Sequence, residues 1–227
     1  MDSTAQRLGR PRKGSLGKRE AILAGARRVF GRVGYLGASI DMIAAEAEVS
    51  TRTIYNHFAN KEQLFAVALT ESSEQVAAAH EAMIGRYLHD DVTAENLETA
   101  LTELATEWGR PDPAFAEHEA IVGRIHARGE DFPADLVAAW LEAGPRRVQR
   151  ALADRLARLG ERGMLDLENP ALAAQHYIAL ITTAQHSEAT ATPEPSIDES
   201  VATGVHTFLY GYAGRSATNG PGADRRR

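Results

Sequence analysis

Between Thr51 and Lys61 the chain reads TRTIYNHFANK, which sets an arginine, an asparagine, a tyrosine and a lysine close together. What these side chains share is hydrogen bonding to anions and to base edges. A guanidinium pairs with guanine and a carboxamide with adenine in the major groove, while a phenol hydroxyl and an ammonium suit phosphate. Whether they can act together depends on direction. At about 100° per residue, with Ile54 as zero, Phe58 falls at about 40° on a helix. Arg52 and Asn56 then fall at about 160° and 200°, with Tyr55 and Thr53 on the flanks at about 100° and 260°. A short helix here buries Ile54 and Phe58 and shows Arg52 and Asn56 outward.

The rest of the chain offers no competing chemistry. There is no cysteine, which excludes disulfides, thiolate zinc sites and cysteine nucleophiles and fits a reducing cytoplasm. Neither Gly-x-Ser-x-Gly nor a phosphate-binding glycine loop occurs. No Glu-x-x-His or His-Glu-x-x-His is present, and His118 and His126 stand too far apart along a helix to share an ion. No catalytic residue, no metal and no cofactor is therefore expected. The apolar residues form no run of about 18, and the N-terminus MDSTAQRLGRPRKGS carries no hydrophobic signal core. A cytoplasmic protein without membrane spans is expected.

The elements that must position the stretch read as helix throughout. Of the 227 residues 44% are hydrophobic but only 6% aromatic, and the Ala and Leu that dominate are strong helix formers. Residues 1–17 mix Gly, Pro, Ser and Arg without periodicity and are expected to be a flexible basic arm. From Lys18, Ile22, Leu23, Ala26, Val29, Phe30 and Val33 recur at helical spacing, and Gly34 is a stop. Ser39 and Ser50 are N-caps of two short helices. Asn60 caps a fourth helix, with Gln63 at the capping-box position, that runs to about Tyr87.

Further helices are expected from Thr93 to Trp108, from Asp112-Pro113 to about Arg128, and from Phe132-Pro133 to Leu159 with an interruption at Gly144-Pro145. Asn169-Pro170 opens another to about Ser187. After the loop EATATPEP, Ser196 and Glu199 form a capping box for a last helix ending near Gly214. The fold is expected to be all α, with roughly nine helices and a disordered tail over 214–227.

Charge divides the chain. Residues 1–61 hold eleven Lys and Arg against five Asp and Glu, whereas residues 62–227 hold fourteen against twenty-six. A basic head on an acidic body fits a head that meets a polyanion; a basic tail beside an ordinary acidic domain is the alternative.

In order, AGARRVFGRVGY, SIDMIAAEA, VSTRTIYNHF and NKEQLF resemble the DNA-binding domain of the TetR family of bacterial transcriptional regulators over residues 18–69. The resemblance implies a three-helix helix-turn-helix domain over 18–66 and a helical ligand-binding and dimerisation domain over 67–213. It implies that Ser39 touches phosphate and that Thr51, Arg52, Thr53, Tyr55, Asn56 and His57 belong to the recognition helix. Tyr55 and Lys61 match positions that grip the DNA backbone. His57 is open between a DNA contact and packing beside Phe58. Arg10, Arg12 and Lys13 either enter a minor groove or add non-specific attraction. Two departures stand out: Glu48 occupies a turn position where the family has glycine, and Ala38 replaces a common threonine.

The segments FPADLVAAWLEAGPRRV, RGMLDLENPALAAQHYIAL and FLYGYAG are similar to AefR-like C-terminal domains. That likeness implies a homodimer through the last two helices, about 170–187 and 197–213, and a small-molecule pocket. Tyr87, Trp108, Phe115, His118, Ile121, Ile125, Trp140 and Tyr177 are the pocket candidates, with core packing as the alternative for each. The expected function is a ligand-responsive regulator that binds a pseudo-palindromic DNA operator, a repressor released by a small-molecule effector. An activator of the same family, an all-α enzyme carrying a helix-turn-helix, and a nucleoid-type protein without sequence preference are the rival readings.

Overall fold

The computed structural model describes residues 13–127, 132–182 and 196–212. Among them there are helices and no strand: α1 (Lys13–Gly37), α2 (Ile40–Glu46), α3 (Thr51–Tyr55), α4 (Lys61–Tyr87), α5 (Leu97–Trp108), α6 (Ala116–Ala127), α7 (Ala134–Ala143), α8 (Pro145–Glu161), α9 (Pro170–Thr182) and α10 (Ile197–Tyr212). A 3-10 turn, Pro113–Phe115, precedes α6. The all-α expectation holds. The interruption expected at Gly144-Pro145 is present and separates α7 from α8, because Gly144 leaves helical geometry (φ −122, ψ −83) and Pro145 starts α8. Most of the arm, the ends expected at Arg128 and Ser187, the EATATPEP loop and the 214–227 tail lie outside the described residues.

The chain divides into two compact units, one of residues 1–73 and 113–141, the other of residues 74–112 and 142–227. This differs from a boundary near residue 66. The division falls inside α4, and α6 and α7 join the unit that holds the basic N-terminal helices.

In the first unit the core gathers Ile22, Ala26, Phe30, Ile43, Ile54, Phe58, Leu64 and Phe65 with Ile121, Ile125, Phe132 and Trp140. Its centre is aromatic. Phe30 and Phe65 meet edge-on at 4.8 Å, Tyr35 lies 5.1 Å from Phe65, and Phe132 lies 5.6 Å from Phe65. Gly25 lets α1 approach the end of α2, since a Cβ there would lie 2.9 Å from that of Ala47. In the second unit the core is mostly aliphatic: Ile84, Leu88, Leu101, Leu104, Leu152, Leu156 and Val205 pack with Tyr177 and Phe208. The Tyr177 hydroxyl donates to the Leu101 carbonyl at 2.6 Å, which satisfies the one polar atom that this ring buries. Its burial also pushes the phenol pKa far up, so the ring stays neutral.

Candidate nucleic-acid interface

Three short-range devices set the geometry of α3. Ser39 caps α2, its hydroxyl oxygen accepting from the Met42 N–H at 3.2 Å. Ser50 caps α3 in the same way, accepting from the Thr53 N–H at 3.2 Å. Between them Glu48 takes φ 54, the left-handed region that a side chain enters at a cost of about 1–2 kcal/mol. The Val49 N–H donates to the Ala44 carbonyl at 2.9 Å, which closes the turn. Glu48 thus supplies with strain what glycine supplies freely. Five residues are too few to hold a helix in water; Ile54 and Phe58, both buried in the core, anchor it from below.

The outward face follows from that anchoring. Arg52 and Asn56 are exposed, as the angular spacing requires, and Tyr55 is 56% exposed on the flank. Thr51 and Thr53 are half-buried, and the Thr53 hydroxyl lies 2.8 Å from that of Ser50. His57 is half-buried with its ring 6.3 Å from Phe58, so packing takes up one side of it. Ser39 is half-buried at the start of α2. Together these residues present one guanidinium, one carboxamide and one phenol from a short rigid element.

Lys61 has more work to do than its sequence position discloses. Its Nζ donates to the Tyr35 carbonyl at 2.9 Å and the Ala38 carbonyl at 3.1 Å, and sits 4.6 Å from the centre of the Tyr35 ring. Of the three N–H donors of an ammonium, one remains. At the start of α4, Asn60 accepts from the Gln63 N–H at 2.7 Å. The Gln63 side chain accepts from Ala59 rather than from Asn60, a capping box displaced by one residue.

Charges behind this face are paired. Arg28 reaches Glu46 at 2.7 Å and Glu117 at 3.2 Å, Arg32 reaches Glu46 at 3.2 Å, and Arg27 reaches Glu117 at 3.3 Å. Hydrogen bonds from Arg28 and then Arg32 hold the Glu46 carboxyl below its ordinary range. The outward side chains of α3 have no such carboxylate in hydrogen-bond contact among the described residues.

The eight pocket candidates separate. Phe115, His118, Ile121, Ile125 and Trp140 belong to the first unit, and Tyr87, Trp108 and Tyr177 to the second. Ile121, Ile125 and Trp140 are core to the first unit, and Tyr177 to the second. His118 lies 2.9 Å from the Ser72 hydroxyl, Tyr87 donates to Glu107 at 2.5 Å, and Trp108 packs on His80 at 4.4 Å. Among the described residues, the buried Trp140 Nε1 and Ser73 Oγ have no hydrogen-bond partner. A cleft of about 360 Å³ in the second unit is lined by Arg146, Gln149, Arg150, Ala153, Asp154 and Ala171. None of the eight candidates lines it. Its lining comes from one face of the first half of α8, at spacings of three and four residues, and from Ala171 at the start of α9. The spacing marks that face, but nothing in the sequence says that it borders a cleft.

Comparison with known proteins agrees with this geometry. The family profile described as bacterial regulatory proteins of the tetR family matches residues 22–68, and that of the AefR-like transcriptional repressor C-terminal domain matches residues 116–214. The HTH-type transcriptional repressor AcnR of Corynebacterium diphtheriae is 28% identical over 167 residues, spanning 66% of this chain and 86% of that protein. A protein of Mesorhizobium loti MAFF303099 assigned to TetR-family regulators shares the fold with a TM-score of 0.70, at 24% identity, covering 89% of this chain and 100% of that one. The flavonoid-responsive regulator FrrA is 25% identical with a TM-score of 0.62, covering 87% of this chain and 98% of that one. The chain belongs to the TetR family of bacterial transcriptional regulators.

Proposed function

We propose that this regulator is a homodimeric repressor that binds a pseudo-palindromic operator through α3 and leaves it when an effector binds. The observation that carries the reading is the outward face of α3, with Arg52, Tyr55 and Asn56 exposed above the buried pair Ile54 and Phe58. Arg52 and Asn56 read base edges in the major groove. Tyr55, the remaining donor of Lys61, Ser39, Thr51 and Thr53 fix the backbone. His57 contributes from its open side.

A second copy is what makes the site a reader of two half-sites, roughly 34–36 Å apart. The composition of α9 and α10 supports the expected pairing. From Pro170 to Thr182 and from Ser200 to Tyr212 there is no Asp, Glu, Lys or Arg, although charged residues make up 25% of the chain. Leu172 and Tyr210 stand 43% and 86% exposed on these helices. An exposed apolar, uncharged face of this kind fits an interface between two copies.

Release follows if the effector prefers a state in which the two α3 helices are wrongly spaced. The flavonoid response of FrrA supports a small organic effector. Trp140 Nε1, buried and unpartnered among the described residues, is a donor such a molecule could use. The protein works in the cytoplasm and performs no catalysis.

The test is selection of bound sites from random duplexes, followed by a gel shift of the selected site against random DNA. A specific repressor prefers its site by about 10³ or more. Equal binding to every duplex would sink the reading.

A further inference from the structure

α1 is kinked at Gly34 and leads through Ala38 into Ser39, and the backbone carbonyls around that kinked end are held by two cations. From one side Lys61, on α4, takes the carbonyls of Tyr35 and Ala38 at 2.9 and 3.1 Å. From the other Arg124, on α6, donates through Nε to the Gly31 carbonyl at 2.6 Å and through Nη2 to the Arg32 carbonyl. These carbonyls end the regular stretch of α1 just before Gly34 kinks the helix at φ 76. The Arg124 side chain lies beside that kink, 3.9 Å from where a Gly34 Cβ would stand. The terminal carbonyls of a helix lack intrahelical donors, and a cation there satisfies them and matches the helix dipole.

We propose that Arg124 is a positioning residue for DNA binding: with Lys61 it clamps the kinked end of α1 that leads into α2 and so sets where the N-terminus of α2 meets the DNA backbone. The residue is more than sixty positions beyond Lys61 in sequence and lies in the segment matched by the C-terminal family profile. It nonetheless works inside the unit that carries α3. Three neighbours on α6 make the attachment firm. Ile121 and Ile125 are buried in the same core as Ile54, and Glu117 pairs with Arg27 and Arg28. Arg124 therefore acts on the kinked end from a fixed base. The clamp holds backbone, so its effect is blind to base sequence. It also touches no phosphate itself, so it leaves the number of released counterions unchanged.

The inference rests on the operator-binding reading, and the experiment separates the two. Arg124→Gln, Arg124→Ala and Arg124→Lys are compared with the unchanged protein on the selected operator and on random duplex, across a salt series. Hydrogen exchange is measured on each without DNA. Arg124→Ala is expected to lose affinity roughly tenfold, by the same factor on both duplexes. Its slope of log affinity against log salt should stay unchanged, whereas loss of a phosphate contact would lower it by about 0.9. Arg124→Lys should recover part of the loss. Exchange at Met42, whose N–H rests on Ser39, should speed up while Asn56 and Phe58, whose N–H groups donate back to Arg52 and Ile54 of α3, keep their protection. Should Arg124→Ala not fold, the same comparison between Arg124→Gln and Arg124→Lys decides. Unchanged affinity and exchange, a lowered salt slope, or equal loss of protection across α3 would overturn the proposal. Failure of the unchanged protein to prefer its operator would instead overturn the reading beneath it.

Discussion

The two cores of the molecule are built on different terms. The first is aromatic and draws on distant parts of the chain: Phe30, Tyr35 and Phe65 from the N-terminal helices meet Phe132, and Arg28 meets Glu117. The second is aliphatic, made of Leu, Ile, Val and Ala from α5, α8, α9 and α10 around Tyr177 and Phe208. The contrast follows from what each must hold. Five-residue α3 has little stability of its own, so its stance comes from large buried surfaces and fixed backbone around it. The long helices of the second unit bury whole stripes and need only complementary packing. A recognition element so short is as good as the core beneath it.

The two tryptophans give one reporter per unit, Trp140 in the first and Trp108 in the second, so substitutions can be assigned to a core by fluorescence in denaturant. The largest effect is expected from Ile54→Ala, a loss of about 2–5 kcal/mol in the transition seen by Trp140, with operator binding lost. A loss shared equally with Trp108 would erase the distinction between the cores. Arg52→Ala should leave stability alone and cost about 1–3 kcal/mol of discrimination at one or two base pairs, read by gel shift on single-base operator variants. A uniform loss over all duplexes would move Arg52 to the backbone-gripping set.

Tyr177→Phe removes one buried hydrogen bond and should cost about 1 kcal/mol in the Trp108 transition only. Glu48→Gly relieves the left-handed strain of about 1–2 kcal/mol, but glycine's extra freedom in the unfolded chain returns roughly 0.5–1 kcal/mol of that. The net gain, a small rise in the Trp140 midpoint, sharpens the picture of a turn held against its local preference. The smallest effect concerns acid. The Glu46 carboxyl titrates below its ordinary value of 4.5 when folded, so its contribution is complete above that pH and fades as pH falls through the folded value. Glu46→Gln should flatten that part of a stability–pH curve for the first unit.

Much of α3 was legible without coordinates because its determinants are local. Ser39, Ser50 and Asn60 cap helices through hydroxyl or amide oxygens three residues from their donors. A period of 3.6 residues puts Arg52 and Asn56 opposite Ile54 and Phe58 whatever lies beneath. The strain at Glu48 was foreseeable as well, since the turn demands a conformation that glycine adopts freely. The pocket candidates behaved otherwise. Periodicity tells that Ile121, Trp140 and Tyr177 face inward, yet not which core receives them, and they were divided between two.

Sequence alone therefore determined the all-α class, the helix caps, the outward face of α3 and the family. Each of these depends on residues within a few positions of one another or on an ordered run of motifs. Only the tertiary structure decided that α6 and α7 belong with the N-terminal helices, that Lys61 spends two donors on the carbonyls of Tyr35 and Ala38, and that Arg124 holds α1 just before its kink at Gly34. Those are contacts between main-chain carbonyls and side chains up to 93 residues away. A carbonyl is the same at every position, so nothing in the order of side chains says which one a distant cation will find.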